Sequence, residues 1–551
     1  MASEEMKRRF EALVDEVLEA TWEFYPNMAS GMGLHQYDGR LPDISRGALA
    51  RRARDVERAL GSLGGLDVSA LDRQCYFDHR LIAGALSKEL FELSELRPHE
   101  TNPMEMMWHV ELSSYIKRDY APLEQRIESL TSALAQVPDF LDNLRAGLSP
   151  RLSRTALEAG LDAYRGMVAF YDKDLREAAG ELKDSHIERG FEQARQRASQ
   201  ALSGFVRHLG SLEAGAVDEF AIGSENFLGL LRHGEMVDMP LAQVMKVGLD
   251  DLERNRERFR EAAARVDSRR SPAEVMAEIA ADHPSEETLI PVTRDMLEDI
   301  RKFVIDHDVL SVPSEVRCET KETPAFMRWA FAAMDMPGPF ETSATEAYYC
   351  VTPVEEEWTD EQKEQWLTSF NYASLQNVSV HEAYPGHYVH HLHTKSAPSK
   401  VSQVFGAYSF WEGWAHYTEE MMVEQGYAGE DPRLVMGQLS DALLRNCRYV
   451  CAIRMHTEDM TVHEATRYFM ENAYMEELPA RKEAMRGTFD PQYLNYTLGK
   501  LMILKLRADY REEQAGAFSL KKFHDTLLSF GAPPIPLVRE MMLREPGTEV
   551  L

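Results

Sequence analysis

Positive charge, cysteine and long apolar runs are all scarce in this chain of 551 residues, and each shortage excludes a class of function. Lys and Arg number 61 against 91 Asp and Glu, a formal net charge of −30. A field of that sign repels phosphate backbones, and no local run of Lys and Arg offers an exception, so nucleic acid is excluded as a partner. The five cysteines, Cys75, Cys318, Cys350, Cys447 and Cys451, are scattered and odd in number. They make no disulfide framework and fit a reducing compartment. No stretch approaches the roughly 20 apolar residues of a membrane span. The opening MASEEMKRRFEALVDEVLEATWEF is charged and amphipathic, without the apolar centre of a secretory signal. The expectation is a cytoplasmic protein with no membrane partner.

An apolar share of 44% is enough for a sizeable core, so the chain is expected to fold. From Glu4 to about Arg265 apolar residues recur at three- and four-residue spacing, as in LEQRIESLTSALAQVPDFLDNLRAGL, with breaks at Gly61 to Gly65 and Arg97 to Pro103. Around 309–355 the texture changes. VLSVP, EVRCET and EAYYCVTPV are short, β-branched or aromatic, and bounded by Pro and Gly, so a small sheet is expected there. Helical periodicity resumes near Asp360 and runs almost to the end. The fold class is mainly α with a small sheet beside the active site. An N-terminal helical region, 1–230, and a catalytic region, 231–551, are expected to form one interwoven unit.

Five of the 18 histidines fall in SVHEAYPGHYVHHLH: His381, His387, His390, His391 and His393. Two histidines one helical turn apart, the first followed by Glu, bind zinc on one face and place a base beside it. His381 and Glu382 begin that pattern, but the next His is His387. On a regular helix it stands roughly 120° off the face of His381. Pro385 and Gly386 supply the means to bulge or overwind the helix and close that angle. The competing pair is His387 with His391, already i, i+4. Cys447 and Cys451 share that spacing too, but read as core.

A third ligand is expected from GAYSFWEGWAHYTEEMMVEQG, where Glu412, His416 and Glu419 form one stripe among Trp411, Trp414 and Tyr417. A carboxylate among indoles is costly to bury unless paired or metal-bound. Glu412 is therefore the candidate ligand, His416 and Glu419 its supports, and Glu420 a solvated residue. HEATR at 463–467 has a His-Glu pair without a second His, and Glu464 reads as a helix-start residue.

At these residues the chain resembles the bacterial domain-of-unknown-function family 885, marked by His-Glu-Ala-x-Pro-Gly-His and Glu-Gly-Trp-Ala. Here the motifs stand as HEAYPGH at 381–387 and EGWAHYTE at 412–419. PGPFETSATEAYYCVTP, RMHTEDMTVHEATRYF and NYTLGKLMILKLR are similar to further blocks of that family. Tyr388 and His390 depart from its usual Pro-Gly-His-His-x-Gln, and the stretch Cys451 to Met455 from its usual Asp-Thr-Gly. The resemblance implies a zincin-like architecture of the Glu-ligand zinc peptidases, with helical lobes around a deep cleft.

The combined expectation is a zinc-dependent hydrolase, foremost a peptidase acting on a peptide or small amide. One zinc per chain sits on His381, His387 and Glu412, with Glu382 as base. A non-peptide amide substrate and a non-catalytic metal-binding scaffold are the alternatives. Tyr496 is the first candidate for an oxyanion donor and His456 the second. Tyr348 and Tyr349, from the strand before the metal helix, and Lys500 and Arg507, from the polar stripe of the last long helix, are candidates for the substrate groove. Arg445, Arg448 and Arg507 are possible anchors for a substrate terminus.

Overall fold

Helical periodicity dominates the sequence, and the computed structural model is accordingly mainly helical with one three-stranded sheet. It describes residues 2–182, 184–323, 328 and 331–551. The chain divides into two units, one of Met1–Phe220 with Pro337–Thr345, the other of Ala221–Met336 with Glu346–Leu551.

The first unit is helical among its described residues. There Ser185–Leu212 packs along both Leu123–Gly147 and Arg154–Asp172, and Leu130, Leu134, Tyr164, Leu202 and Phe205 of these helices are fully buried. The glycines at 61 and 64 do not break the Arg46–Gly64 helix, which ends only at Gly65. Arg97, in the left-handed region at φ 51, does mark a break.

The second unit carries every candidate site residue. Its principal helices are α1 (Leu241–Asp267), α2 (Tyr372–Glu382), α3 (His387–Lys395), α4 (Tyr408–Glu424), α5 (Pro432–Thr457) and α6 (Asn495–Gln514). Asn371 accepts from Ser374 N at the start of α2, and Asp431 from Arg433 N at the start of α5, so side chains satisfy backbone donors left open there. α4 lacks a cap of its own. Glu235, from the preceding Gly223–Glu235 helix, accepts from Ser409 N at 3.3 Å and from Ser409 Oγ, placing a carboxylate at the positive end of α4.

α4 and α6 touch backbone to backbone at Gly413 and Gly499. A Cβ on Gly499 would lie 1.8 Å from Ser409 O and one on Gly413 2.4 Å from Gly499 Cα. That approach sets Glu412 on α4 close to Tyr496 on α6.

Strands β1 (Glu319–Glu322), β2 (Ala332–Asp335) and β3 (Tyr348–Val351) lie in the order β1-β3-β2, with β3 parallel to β1 and antiparallel to β2. The stretch expected to hold the sheet, 309–355, includes residues 324–327 and 329–330, which lie outside the described residues. Within the rest, β1 overlaps EVRCET and β3 lies in EAYYCVTPV, but VLSVP is no strand. Its backbone is engaged by side chains instead. His524 Nδ1 donates to Val309 O at 2.8 Å, Ser311 N donates to Asp525 Oδ1 at 2.7 Å, and Ser311 O lies 2.9 Å from His393 Nε2. β2 arises from AAMD, two alanines with no strand preference, because it pairs with β3. Among the described residues no helix is long and apolar enough to cross a membrane.

Candidate metal centre

α2 ends at Glu382 and α3 begins at His387, with Ala383 to Gly386 non-helical between them. The distortion expected at Pro385 and Gly386 is a short non-helical stretch, spanned by backbone bonds that reach back six residues, Gly386 N to Val380 O at 3.0 Å and Val389 N to Ala383 O. It holds a cis Tyr384-Pro385 bond. Trp414, fully buried on α4, donates from Nε1 to Pro385 O at 3.0 Å and fixes the turn from below. Across this stretch the His387 ring stands 4.8 Å from that of His381, at 90°. His391 takes no part in the cluster that forms.

That cluster is His381, His387 and Glu412, whose ligand atoms all lie within 4.8 Å of one another. Glu412 Oε2 stands 3.5 Å from His381 Nε2 and 3.4 Å from His387 Nε2. Two donors bound to one zinc at about 2.05 Å, on corners of a tetrahedron, are about 3.3 Å apart. Glu412 Oε2 is buried and accepts no hydrogen bond of proper geometry among the described residues. A buried carboxylate oxygen with no donor, faced by two imidazole nitrogens at tetrahedral separation, fits a divalent cation. Without one, burial disfavours the charge of Glu412, but His387 and then His381 outweigh it and hold the carboxyl well below its usual range.

Support for His381 comes from α4 and α5. Its Nδ1 donates to Glu419 Oε1 at 2.6 Å, which leaves Nε2 to face Glu412. Glu419 also accepts from His416 Nδ1 at 3.1 Å and from Arg445 Nη1 at 3.2 Å. Burial opposes protonation of His381, yet Glu412 and Glu419 prevail and raise it to about 9. Burial holds His416 neutral, at about 4. Both expected supports, His416 and Glu419, thus stand behind His381. Sequence reasoning gave Arg445 no such part. Its signal was a charged pair, Asp441 and Arg445, one turn apart inside the apolar run of α5. Asn377 of α2 donates to Asp441 at 2.6 Å and ties the two helices at that level.

Glu382 follows His381 directly, and its Oε2 accepts from Met334 N of β2 at 3.1 Å. The sheet therefore sets the carboxylate by a backbone donor. Tyr496 stacks toward His381, ring centroids 6.4 Å apart. Burial, then Glu412, raises the pKa of its phenol, so it keeps its proton as a donor.

The remaining candidates are placed elsewhere. His456, the alternative donor, accepts from Ile222 N on Nδ1 at 3.4 Å and sits 2.7 Å from Gly487 O through Nε2, so neither nitrogen is directed at the cluster. Tyr349 is fully buried, its hydroxyl 3.5 Å from Ser379 Oγ, and is core rather than groove. Tyr348 packs under the Lys321 ammonium, 3.2 Å from its ring centroid. Arg507 is spent on Tyr417 Oη at 3.0 Å and Glu424 at 2.8 Å. His390 is packed against Trp411 and lies 3.0 Å from Gly531 O. Glu464 is the helix-start residue expected, in a reciprocal cap with Thr461.

Lys500 and Glu420 correct the reading most sharply. Neither is solvated: Lys500 is 0% and Glu420 2% exposed. Lys500 Nζ reaches Asp251 at 2.8 Å and Glu420 at 3.4 Å, while Arg254 and Arg258 close on Glu420 at 2.9 and 2.8 Å. Burial alone would raise the Glu420 pKa, but Lys500 and then Arg254 hold it at about 2. An unfolded Glu titrates near 4.3. The stabilisation is therefore present above that value and lost as pH falls toward 2. Denaturant unfolding at stepped pH is expected to show a loss on the order of 2 kcal/mol over that window from Glu420. The pH dependence is expected to flatten in Glu420→Gln; an unchanged acid limb would sink the assignment.

A family model described as "Bacterial protein of unknown function (DUF885)" matches residues 26–542. Two solved structures share the fold over nearly their full lengths. One, from Shewanella oneidensis, is described as a "putative lipoprotein of unknown function". It is 22% identical, with a TM-score of 0.81, over 98% of this chain and 100% of that one. The other, from Colwellia psychrerythraea, is described as a "putative lipoprotein". It is 16% identical, with a TM-score of 0.81, over 97% and 98%. Identities this low carry the fold alone. No curated protein matches the chain.

Proposed function

We propose that this chain, which belongs to the DUF885 family of bacterial proteins of unknown function, is a zinc-dependent hydrolase of peptide or small amide bonds. The observation that supports this most is the pair of separations from Glu412 Oε2 to the two imidazoles, 3.5 and 3.4 Å, with Glu382 next to the first ligand. We read the architecture as zincin-like on the same grounds: two ligands from a broken helix, a Glu ligand from a crossing helix, and a strand beside the base.

Zinc held by His381, His387 and Glu412 would supply a Lewis acid for a carbonyl and lower the pKa of water. The chain's own residues do the rest. Glu382, oriented by Met334 N, takes the proton of the attacking water and hands it to the leaving amine nitrogen. The Tyr496 hydroxyl donates to the oxyanion that develops on the carbonyl oxygen. Glu419, braced by His416 and Arg445, keeps Nδ1 of His381 protonated and its Nε2 aimed at the centre. A cytoplasmic location belongs to the same reading, supported by five buried cysteines, none bonded to another.

Metal analysis of the purified protein is the test. About one zinc per chain is expected, as a three-ligand site with an open position requires. Glu412→Gln is expected to lose it, because a neutral amide replaces the one anionic ligand. A protein that neither carries nor takes up a divalent metal would sink the reading.

A further inference from the structure

Tyr496 has the metal-ligand cluster on one side and a group of arginines on the other. The guanidinium carbons of Arg445 and Arg448 lie 5.6 and 5.3 Å from its ring centroid. Tyr408 packs edge-on against it at 5.8 Å, and Arg486 Nη2 reaches the Tyr408 hydroxyl at 3.4 Å. Three guanidinium groups thus gather beside one phenol in a chain of net charge −30.

Their partners are specific. Arg445 gives Nη1 and Nη2 to Glu419, both at 3.2 Å, behind His381. Arg448 gives Nε and Nη2 to the two oxygens of Glu483, at 2.7 and 2.8 Å. Arg486 gives Nε and Nη2 to Asp490, at 3.0 and 2.8 Å. A carboxylate held on that edge locks the plane of each guanidinium and leaves its outer edge in a fixed direction. Among the described residues no hydrogen bond uses Nη1 of Arg448 or of Arg486. Both side chains keep some exposure, 11% for Arg448 and 33% for Arg486. Glu412 and His387 are open to a similar degree, 19% and 13%.

We propose that Arg448 and Arg486 receive the C-terminal carboxylate of a short peptide, so that the centre acts as a carboxypeptidase releasing one or two residues. This rests on the hydrolase reading above. The span supports the register. The Tyr496 ring lies 6.4 Å from that of His381 and 5.3 Å from the Arg448 guanidinium carbon, which bounds the span between them, and part of that is taken by contacts at either end. What remains holds one or two residues at about 3.5 Å each. The opposite polarity is disfavoured by the same groups. An amino terminus needs an uncommitted carboxylate, and Glu419, Glu483 and Asp490 are each already paired with an arginine.

The test separates binding from catalysis. Full-length, zinc-loaded Glu382→Gln protein is titrated calorimetrically with N-acetylated tripeptides, each as the free acid and as the C-terminal amide. The free acids are expected to bind about tenfold or more tightly, the range for a hydrogen bond to a charged group. Arg486→Gln, at a partly exposed position, is expected to erase the preference without changing zinc content or the circular dichroism spectrum. Arg448→Lys keeps the charge but not the fork and is expected to weaken it. Equal affinity for acid and amide, no binding of either, or a preference that survives both substitutions overturns the anchor. Wild-type protein that binds the acids but cleaves none would instead overturn the hydrolase reading and leave the anchor standing.

Discussion

Glu382→Gln is expected to lower kcat for hydrolysis by about 10²–10⁴-fold, the contribution of a positioned general base, while zinc content stays unchanged. The carboxylate is not among the three clustered groups, and it accepts from a backbone donor, Met334 N, at 3.1 Å. A glutamine oxygen accepts that same hydrogen bond, so the side chain keeps its place. What it loses is the capacity to take a proton. The loss is expected in kcat with KM little changed, because substrate binding does not depend on that proton. Steady-state kinetics on a cleaved peptide, with metal analysis of the same preparation, reads both quantities. Full activity in the variant would remove Glu382 from the base role, and loss of zinc would show that it holds the metal instead.

Gly386→Ala is expected to abolish zinc binding and to cost about 3 kcal/mol or more in stability, at or beyond the upper end of overpacking effects. The added Cβ would lie 1.7 Å from His381 O, 2.4 Å from His381 C and 2.5 Å from Val380 O. These are backbone atoms of the preceding helix and cannot turn aside as a side chain would. Relief requires the start of α3 to move away, and His387 moves with it. Since His387 and His381 must both reach one ion, a shift of an ångström or so is enough to lose it. Thermal unfolding and metal content of the variant are the measurements. A variant with normal zinc and wild-type melting would mean that the close packing at Gly386 is not what sets the histidine pair.

The centre was legible in the sequence in its ingredients more than in its construction. HEAYPGH and EGWAHYTE carry the three clustered side chains, the proposed base and two of the groups behind His381 within short spans, and helical periodicity placed them on helices. The spacing of six between His381 and His387 demanded a distortion near Pro385 and Gly386. It did not say what form the distortion takes, which also depends on Trp414 Nε1 reaching Pro385 O from another helix. Tyr496 was singled out from a stripe on α6, and its ring stands 6.4 Å from that of His381. Lys500 in the same stripe was misplaced, since its counter-charges, Asp251 and Glu420, come from α1 and α4. VLSVP has the composition of a strand, yet Asp525, His524 and His393 engage its backbone.

Local chemistry and periodicity therefore determined the helical class and which side chains were candidates for the cluster, because each depends on neighbours a turn or two away. Tertiary structure alone decided which polar groups are buried in pairs, which arginines stand beside Tyr496, and that β2 exists at all. Those outcomes turn on contacts between residues far apart in the chain. Gly413 against Gly499 is the plainest case, where two helices approach closely enough that a single methyl group would part them.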